Sequence, residues 1–572
     1  MNAPLPARAP STVAAQDLPL QRLYHWERTQ PERIAFVQPL GGGQVRELRW
    51  REVLDQARRL AGWLQAQQYP AGSRIALMSK NTAWWMICDY AIWMAGHVSV
   101  PLYPTLAADT IRQILEHSGS RLLFIGKLDG FDGMRAGIPA ALPCICTPLA
   151  PQGAPGLAWE AALAEHPPLQ GEPVRDADAL STLMYTSGTT GKPKGVMHSF
   201  GTMMWSVQAG FKRVQVDFNS RLLSYLPLSH VVERALVEHG QLLTGMQVYF
   251  AESLDTFAAD LQRARPTTFF SVPRLWVKFQ QGVHAKMPPA KLKLLLGIPL
   301  LRSVIARKIL TALGLDQCRY AVGGAAPMPA ELLRWYLALG LDMLEGYGMT
   351  ENCGVSHSTL PGRPRPGTVG LPYEGIESRT DPVSGEIQMR SPGVMLGYYL
   401  EPELTREAFT DDGWLRTGDK GQLDGEGNLR ITGRVKDLFK TSKGKYVAPA
   451  PIEDKLVMHA SLEACCVTGA NLGQPLGLVM LNADAAAKAS SATERAALEA
   501  SLARHLEAVN SSLDPHEQMD RLVVMRSAWT VDNGLITPTF KVKRNVVEER
   551  FGGQFERWSG ARQAVIWAEP EA

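Results

Sequence analysis

The chain has 572 residues, 45% of them hydrophobic and 20% charged, with a formal net charge of +3 at pH 7. This length exceeds what one hydrophobic core normally supports, so we expect at least two domains. Balanced charge gives no sign of a general nucleic-acid-binding protein, and seven cysteines without C-x-x-C pairs exclude a disulfide-rich scaffold and favour a reducing cytoplasm.

The N-terminal segment, residues 1–17, is rich in Ala and Pro and has no apolar core behind positive charge. We therefore expect a disordered leader and not a signal peptide. The most apolar window, Trp84 to Pro104, contains Asp89 and His97. This composition is typical of a buried helix followed by a strand and not of a membrane span.

From about residue 73, short β-rich runs alternate with helical patterns, which predicts parallel β-α-β units in a layered α/β domain. The predicted strands span 74–79, 121–126, 180–184, 221–228, 246–250, 267–272 and 320–322. The predicted helices span 82–95, 231–243, 254–264 and 329–339. Ligands bind at strand ends in open α/β sheets, and the chemically distinctive segments follow these strands.

After Gly370 the pattern changes to short strands and turns, which predicts a small β-rich subdomain with turns at 411–413 and 424–427. Near residue 436 it changes again, to short strands and a charged helix over 493–509. We therefore predict a large N-terminal domain of layered parallel and mixed sheets with helices over 18–435. A smaller, mobile α+β domain should follow over 436–572.

The segment Tyr185-Thr-Ser-Gly-Thr-Thr-Gly-Lys-Pro-Lys-Gly195 directly follows a predicted strand. Glycines let backbone N–H groups turn around an anion, while hydroxyls and lysines add donors and charge. A Walker A loop is excluded, because only two residues separate Gly188 from Gly191 and Pro193 follows Lys192. We predict a different phosphate loop, formed by Thr186, Ser187, Gly188, Thr189, Thr190, Gly191, Lys192 and Lys194.

A second motif, Glu345-Gly-Tyr-Gly-Met-Thr-Glu351, places an aromatic residue between glycines and before a Thr-Glu pair. A tyrosine face stacks on a nucleotide base, and a carboxylate holds Mg²⁺ beside phosphate oxygens. Taken alone, the motif also fits a turn with one buried tyrosine.

One further motif, Gly323-Gly-Ala-Ala-Pro327, precedes Glu345. Three others come after Glu351: Trp414-Leu-Arg-Thr-Gly-Asp419, Gly433-Arg-Val-Lys-Asp437 and Leu535-Ile-Thr-Pro-Thr-Phe-Lys-Val-Lys-Arg544. Together the motifs resemble those of the adenylate-forming superfamily of acyl-CoA synthetases, adenylation domains and luciferases. Segments 226–234, 271–276 and 441–449 place the chain nearest the long-chain fatty acyl-CoA synthetase branch. The resemblance implies ATP, Mg²⁺ and coenzyme A as cofactors.

The resemblance also implies a role for each matching residue. It places phosphates on the loop around Lys192, the α-phosphate on Thr350, and the metal at Thr190 and Glu351. It places the adenine side on Gly324, Ala325, Ala326 and Pro327, and further nucleotide contacts on Glu345, Gly346, Tyr347 and Gly348. It places the ribose on Asp419, and the ribose or a phosphate on Arg434.

Four more residues take roles from the resemblance. Lys541 becomes the catalytic lysine, although Lys543 and Arg544 compete with it and equally fit a solvated basic edge. Lys436 becomes the hinge between the domains, and Gly444 the lining of a pantetheine tunnel. His230 lies beside the acyl channel in this branch, whereas its residue context alone fits a structural histidine.

The implied reaction is ATP-dependent activation of a medium- or long-chain fatty acid to an acyl-adenylate, followed by thioester formation with coenzyme A. One alternative is a ligase that passes the acyl group to a carrier-protein thiol or activates another carboxylic acid. A second is a catalytically silent nucleotide- or lipid-binding regulator, which would lose Glu351 or Lys541; both are present. Acyl length, acceptor, oligomeric state and pathway stay open.

Two apolar segments allow two interpretations each. Met203, Met204 and Trp205 fit either an acyl pocket or the core. The stretch from Lys286 to Leu310, with basic residues among leucines and isoleucines, fits either an ordinary surface helix or a weak contact with the anionic inner face of a membrane.

Overall fold

The computed structural model of this chain describes residues 11–187, 193–324, 326, 328–531, 533–537 and 541–569. The chain divides into two compact units: the first extends to residue 378 and includes 389–416, and the second comprises 379–388 and the residues from 417 onward. The two units are defined by the contacts within each of them, which do not report motion. A mobile domain that begins at residue 436 therefore stays a prediction.

The strands alternate with helices through much of the chain. In chain order they are β1 (Ile34–Gly41), β2 (Gln44–Arg49), β3 (Arg74–Met78), β4 (Val98–Leu102), β5 (Leu122–Ile125), β6 (Cys144–Cys146), β7 (Leu157–Ala158), β8 (Leu180–Ser187), β9 (Pro193–Ser199), β10 (Arg221–Ser224), β11 (Gln247–Phe250), β12 (Thr268–Ser271), β13 (Tyr320–Gly323), β14 (Asp342–Tyr347), β15 (His357–Ser358), β16 (Leu371–Pro372), β17 (Glu377–Thr380), β18 (Glu386–Arg390), β19 (Gly397–Tyr398), β20 (Leu415–Leu423), β21 (Leu429–Arg434), β22 (Phe439–Lys440), β23 (Tyr446–Val447), β24 (Leu462–Thr468), β25 (Leu476–Leu481), β26 (Arg521–Met525) and β27 (Val565–Trp567).

The helices vary from single turns to nineteen residues. In chain order they are α1 (Pro19–Thr29), α2 (Trp50–Ala66), α3 (Ala83–Met94), α4 (Ala108–Ser118), α5 (Phe131–Arg135), α6 (Trp159–Glu165), α7 (Phe200–Arg213), α8 (Val231–Glu233), α9 (Gly240–Thr244), α10 (Phe257–Ala264), α11 (Pro273–Lys286), α12 (Pro289–Leu296), α13 (Pro299–Leu313), α14 (Ala330–Ala338), α15 (Pro402–Glu407), α16 (Pro449–Leu456), α17 (Ala483–Lys488), α18 (Ala492–Asn510), α19 (Arg544–Phe551) and α20 (Phe555–Ser559). Short 3₁₀ turns span Ala15–Asp17, Thr350–Asn352 and Gly552–Gln554, and a π-helical segment spans Arg234–His239.

The sheets of the first unit carry its site-forming loops. The largest has the strand order β19-β9-β8-β4-β3-β5-β6-β7, in which β4, β3, β5, β6 and β7 pair in parallel and β9 is antiparallel to both neighbours. Two further sheets have the orders β10-β11-β1-β2 and β12-β13-β14-β15-β16. Each combines parallel with antiparallel pairs, as the predicted layered mixed α/β class requires.

Helix α3 lies at the centre of the first unit's core. Every residue of α3 is buried, including Trp84, Trp85 and Trp93. Its N-terminus is capped by Thr82, whose hydroxyl oxygen accepts from the Trp85 N–H at 3.2 Å. The buried helix and the following strand β4 confirm the interpretation of the 84–104 window. Met203 and Met204 of α7 are fully buried in the same core.

The second unit is an α+β assembly with its own core. Its sheet β24-β25-β26-β27 pairs antiparallel at β24–β25 and parallel beyond, and α18 buries Leu502, Leu506 and Val509. Strands β17, β18, β20 and β21 form another sheet, and β22 pairs with β23. The predicted turns are present, because the Gly413 N–H bonds to the Thr410 carbonyl and the Gly427 N–H to the Asp424 carbonyl.

Two predicted elements differ from the structure. The strand predicted over 221–228 ends at Ser224, and the helix predicted over 231–243 includes the π-helical segment. Arg234 and Glu238 of that segment are fully buried; Arg234 pairs with Asp89, and its Nε lies 3.4 Å from a Glu238 oxygen. Charged residues normally face solvent, so the helical pattern does not reveal this inward turn.

Membrane-spanning helices are absent from the part of the chain that the structure describes, since none there combines sufficient length with sufficient hydropathy. All seven cysteines lie within the described residues, and none of them is in a disulfide. Burial raises the pKa of Cys144 to about 11, so this thiol stays protonated and suits a packing role.

Candidate active site

The predicted phosphate loop connects the antiparallel strands β8 and β9. The pairing sets Tyr185 opposite Gly195 and Thr186 opposite Lys194, with Ser187 opposite Pro193 at the end of the ladder. Strand β8 is also a parallel neighbour of β4, so the loop follows a strand of the parallel sheet, as predicted. Gly188, Thr189, Thr190, Gly191 and Lys192 lie outside the described residues.

A cation, a hydroxyl and a carboxylate lie together beside this hairpin. The Lys194 ammonium is 5.6 Å from the centroid of the Tyr398 ring, and the Tyr398 hydroxyl donates to Glu351 Oε1 at 2.8 Å. Strand β19 places Tyr398 opposite Val196 of β9. Burial, and then the Glu351 carboxylate, raise the pKa of Tyr398, so this residue stays a donor.

Backbone contacts hold Thr350 and Glu351 in a 3₁₀ turn. His198 Nε2 donates to the Thr350 carbonyl at 2.7 Å, and the Met395 N–H donates to the Glu351 carbonyl at 2.8 Å. His198 lies on β9, so one strand supports both Lys194 and the turn that carries Glu351. The structure therefore brings Lys194, Thr350 and Glu351 into one neighbourhood, as the motifs predict.

A close backbone approach shapes the same turn. A Cβ added to Gly348 would lie 2.3 Å from the backbone of Gly354, so only glycine fits at position 348. A Cβ added to Gly354 would in turn lie 2.8 Å from Val232 of α8. The turn thus packs against the short helix that follows His230.

His230 caps that helix. Its Nδ1 accepts from the Val232 N–H at 3.3 Å, and its side chain is half-buried. The cap explains its orientation, and the packing of Val232 on Gly354 links it to the turn that carries Thr350 and Glu351.

The predicted adenine side forms at adjacent ends of parallel strands. Gly323 of β13 lies opposite Ser271 of β12 and Glu345 of β14. A Cβ added to Gly324 would lie 3.3 Å from the Gly346 carbonyl, so the two segments are in close contact. Tyr347 continues β14, and Ala326 is exposed, whereas Ala325 and Pro327 lie outside the described residues.

Glu345 is a buried carboxylate at this edge. Its Oε2 accepts from the Met328 N–H at 3.2 Å, and its Oε1 has no hydrogen-bond partner among the described residues. Burial raises the pKa of Glu345 to about 7, although the Met328 bond opposes the shift. Glu345 is therefore a buried carboxyl with one oxygen bonded to the backbone and the other without a partner among the described residues.

In the second unit, Asp419 and Arg434 face each other across β20 and β21. Arg434 Nε donates to Asp419 Oδ1 at 2.9 Å; the Asp419 side chain is 13% exposed and that of Arg434 is 52% exposed. Lys436 is exposed just beyond β21. Gly444 has a φ of +79° in the turn between β22 and β23.

Lys541 is exposed in the second unit, beside the isolated antiparallel bridge between Ile536 and Val542. The Thr537 N–H donates to the Lys541 carbonyl at 2.8 Å, and the Lys541 N–H donates to the Thr537 hydroxyl at 3.1 Å. These two bonds fix the backbone of Lys541.

Arg544, in contrast, is not part of a solvated edge. Its side chain is 15% exposed, and Nη2 donates to Glu453 Oε1 at 2.7 Å. Although burial opposes it, the Glu453 carboxylate raises the pKa of Arg544 overall. Arg544 is therefore occupied in a buried ion pair, which removes it as a competitor of Lys541.

The residues present fit a nucleotide-borne magnesium ion. Clusters of three or more His, Cys, Asp or Glu that could hold a metal are absent among the described residues. Mg²⁺ in nucleotide sites keeps several waters and takes one or two carboxylates together with substrate phosphates. Glu351, which accepts a hydrogen bond from Tyr398, would be such a carboxylate, while Thr190 lies outside the described residues.

Two stretches of the chain match models of a known enzyme family. A family model described as AMP-binding enzyme matches residues 23–399, and a model of the AMP-binding enzyme C-terminal domain matches residues 436–558. This chain belongs to the AMP-binding enzyme family.

Relatives of this AMP-binding enzyme cover most of its length. Long-chain-fatty-acid–CoA ligase FadD15 of Mycobacterium bovis is 30% identical over 597 residues, which cover 96% of this chain and 98% of the relative. The peroxisomal long chain acyl-CoA synthetase 6 of Arabidopsis thaliana is 28% identical over 553 residues, covering 84% and 77%.

A solved structure has the same fold. The A domain of carboxylic acid reductase from Segniliparus rugosus, solved with AMP and a co-purified carboxylic acid, matches with a TM-score of 0.77 at 22% identity. The match covers 95% of this chain and 94% of the other. The fold class of a large N-terminal and a smaller C-terminal domain is thus confirmed.

Two residues of this AMP-binding enzyme's site were missed from the sequence. Tyr398 lies in Leu396-Gly-Tyr-Tyr399, and its link to Glu351 depends on the pairing of β19 with β9. His198 follows the phosphate loop on a strand, where its contact with the Thr350 carbonyl has no local pattern. The position of a histidine shortly after a glycine-rich loop was the only available signal.

Proposed function

We propose that this enzyme activates a medium- or long-chain fatty acid with ATP and transfers the acyl group to coenzyme A. In the first half-reaction a carboxylate oxygen attacks the α-phosphorus, and the bond to pyrophosphate breaks. In the second, the thiol sulfur attacks the acyl carbon, the bond to AMP breaks, and the thiol proton leaves to solvent. Neither half needs a covalent enzyme intermediate.

One observation carries the proposal: Tyr398 contacts both Lys194 and Glu351 beside the hairpin of β8 and β9, which contains the predicted phosphate loop. Two anions must meet in the first half-reaction, so a nearby ammonium lowers their repulsion. Tyr398 holds Glu351 in the orientation needed to bind Mg²⁺, which neutralises triphosphate charge when bound. We assign Thr350 to the α-phosphate, and Asp419 with Arg434 to the ribose.

The names of the relatives support a fatty acid as the substrate and coenzyme A as the acceptor. A carrier-protein thiol is the competing acceptor. We propose a cytoplasmic location, because none of the seven described cysteines is in a disulfide and a reducing compartment keeps thiols in that state.

Substrate-dependent exchange of radiolabelled pyrophosphate into ATP tests the first half-reaction across saturated fatty acids of increasing length, benzoate and acetate. We expect exchange with medium or long chains. AMP release that requires coenzyme A then tests the acceptor. No exchange with any fatty acid would contradict the proposal, and exchange without coenzyme A-dependent AMP release would favour a carrier protein.

A pair of lysine variants makes the test specific to the site. Lys194→Ala should lower exchange by about 10²-fold or more, because it removes a charge beside the transferred phosphate. Lys212→Ala on α7 is the control, since Lys212 is exposed and its Nζ lies 3.5 Å from Glu374. Equal activity of the two variants would remove Lys194 from the site.

A further inference from the structure

Helices α12 and α13 expose an unusual concentration of large apolar side chains. Five such residues lie between positions 294 and 304. Their exposed fractions are Leu294 69%, Ile298 40%, Leu300 87%, Leu301 40% and Val304 61%. They make up five of the thirteen large exposed hydrophobic residues in the described part of the chain. Single exposed leucines are ordinary, but a contiguous group marks an interaction surface.

The helices cannot turn these side chains inward, because their opposite sides are already packed. Leu292 of α12 and Ala306 and Ile309 of α13 are buried in a hydrophobic cluster of the first unit. The junction around Gly297 and Pro299 therefore presents its leucines outward on two anchored helices. We call residues 286–308 the basic apolar surface.

The charge around the exposed leucines has one sign. From Leu261 to Leu315 the sequence contains no Asp or Glu. Six exposed basic residues lie in the basic apolar surface: Lys286, Lys291, Lys293, Arg302, Arg307 and Lys308. Within the described part of the chain none of the six forms an ion pair; Arg302 bonds to the Ala338 carbonyl at 3.2 Å.

We propose that the basic apolar surface docks on an anionic phospholipid bilayer. Leucines enter the boundary between headgroups and acyl chains, while lysines and arginines contact lipid phosphates. A second copy of the chain is a poorer partner, because a symmetric contact would bring two acid-free basic surfaces together. This inference goes beyond the proposed function and does not depend on it, since binding needs neither ATP nor a fatty acid.

Co-sedimentation of the full chain with vesicles tests the proposal. We expect binding to phosphatidylcholine vesicles that contain phosphatidylglycerol, weak binding to phosphatidylcholine alone, and release at high salt. The variant Leu300→Ser/Leu301→Ser/Val304→Ser should bind roughly tenfold more weakly, and so should Lys291→Gln/Lys293→Gln/Arg307→Gln/Lys308→Gln.

A matched control separates this surface from general hydrophobicity. Leu254 and Val174 are 93% and 64% exposed elsewhere on the first unit. Leu254→Ser/Val174→Ser should bind vesicles like the natural chain. All variants should keep their thermal unfolding midpoint and their pyrophosphate exchange with a water-soluble medium-chain fatty acid. If pyrophosphate exchange were absent in every protein, the natural chain included, that result would count against the proposed function. Vesicle binding would still test the proposed membrane contact.

Three outcomes would overturn the proposal. The first is no binding of the natural chain to anionic vesicles. The second is equal binding by the surface and control variants. The third is a natural chain that is oligomeric in size-exclusion chromatography and becomes monomeric in the leucine variant, which would assign the surface to a second copy.

Discussion

The Glu351 carboxylate accepts a hydrogen bond from Tyr398, 47 positions later in the chain. Tyr398→Phe removes the hydroxyl and keeps the ring that faces Lys194. Because partners of a metal-binding carboxylate typically contribute 10–100-fold to metal affinity, we expect the Mg²⁺ concentration for half-maximal exchange to rise by about tenfold. Titration of pyrophosphate exchange with Mg²⁺ measures this change.

The neighbouring tyrosine provides the control for that prediction. Tyr399 lies beside His117 and Arg74 and has no described contact with Glu351. Tyr399→Phe should leave the Mg²⁺ requirement unchanged. A Tyr398→Phe enzyme with the natural Mg²⁺ requirement would show that the hydroxyl does not position the metal carboxylate.

Glu345 should make stability depend on pH. Below about pH 4.5 its carboxyl is protonated in both the folded and the unfolded chain. As the pH rises, the unfolded chain ionises near its ordinary pKa of 4.5, whereas the folded chain keeps the proton up to a pKa of about 7. Stability is therefore lost between these values, by an amount on the order of 3 kcal/mol.

Glu345→Gln removes this ionisation. The gain in stability of the variant over the natural chain should grow from pH 4.5 to 7 and then level off, as measured by the denaturant midpoint of the first unit. Glu331→Gln on α14 is the control, because Glu331 is exposed and should give no pH-dependent difference. A difference that stays constant with pH would mean that Glu345 ionises normally in the folded chain.

At the scale of elements, the turn after β14 depends on close contact between two glycines. A methyl group at Gly348 would lie 2.3 Å from the Gly354 backbone, whereas at Gly346 the nearest atom would be 3.6 Å away. We expect Gly348→Ala to lower the free energy of unfolding of the first unit by about 2 kcal/mol or more, because the turn must open. Gly346→Ala should be close to neutral in the same thermal or chemical unfolding experiment. Similar losses in both variants would refute this account of the turn.

Most elements of the first unit were predictable because their sequences carry local signals. The strand after Arg74 and the helix after Thr82 follow hydrophobic runs with a capping residue, and both appear as predicted. The π-helical segment was not predictable, because burial of Arg234 depends on Asp89, which is 145 residues away. Pairing between distant residues leaves no periodic signal in either segment.

The site shows the same limit. Lys194 and Glu351 were predicted from motifs, and in the structure both contact Tyr398. Tyr398 was missed because its contribution comes from sheet register and not from a motif. Arg544 was left open as a surface residue because its partner, Glu453, is 91 residues away.

At the scale of the whole molecule, Lys541 belongs to the second of the two compact units. We predict that Lys541→Ala slows acyl-adenylate formation by about 10²–10³-fold, because a charge stabiliser of the transition state is lost. Thioester formation from synthetic acyl-adenylate should be spared. Rapid-quench assays of each half-reaction measure both rates, and Lys543→Ala is the matched control. An equal fall in both half-reactions would contradict the role of Lys541 in adenylation.

Arg544, three residues after Lys541, is the first residue of α19. Its ion pair with Glu453 connects α19 to α16. Both side chains are mostly buried, so replacing either one alone removes the hydrogen-bonded partner of a charge that is largely shielded from water. In engineering terms, a redesign of the segment around Lys541 also has to consider Glu453 of α16, 91 residues before Arg544.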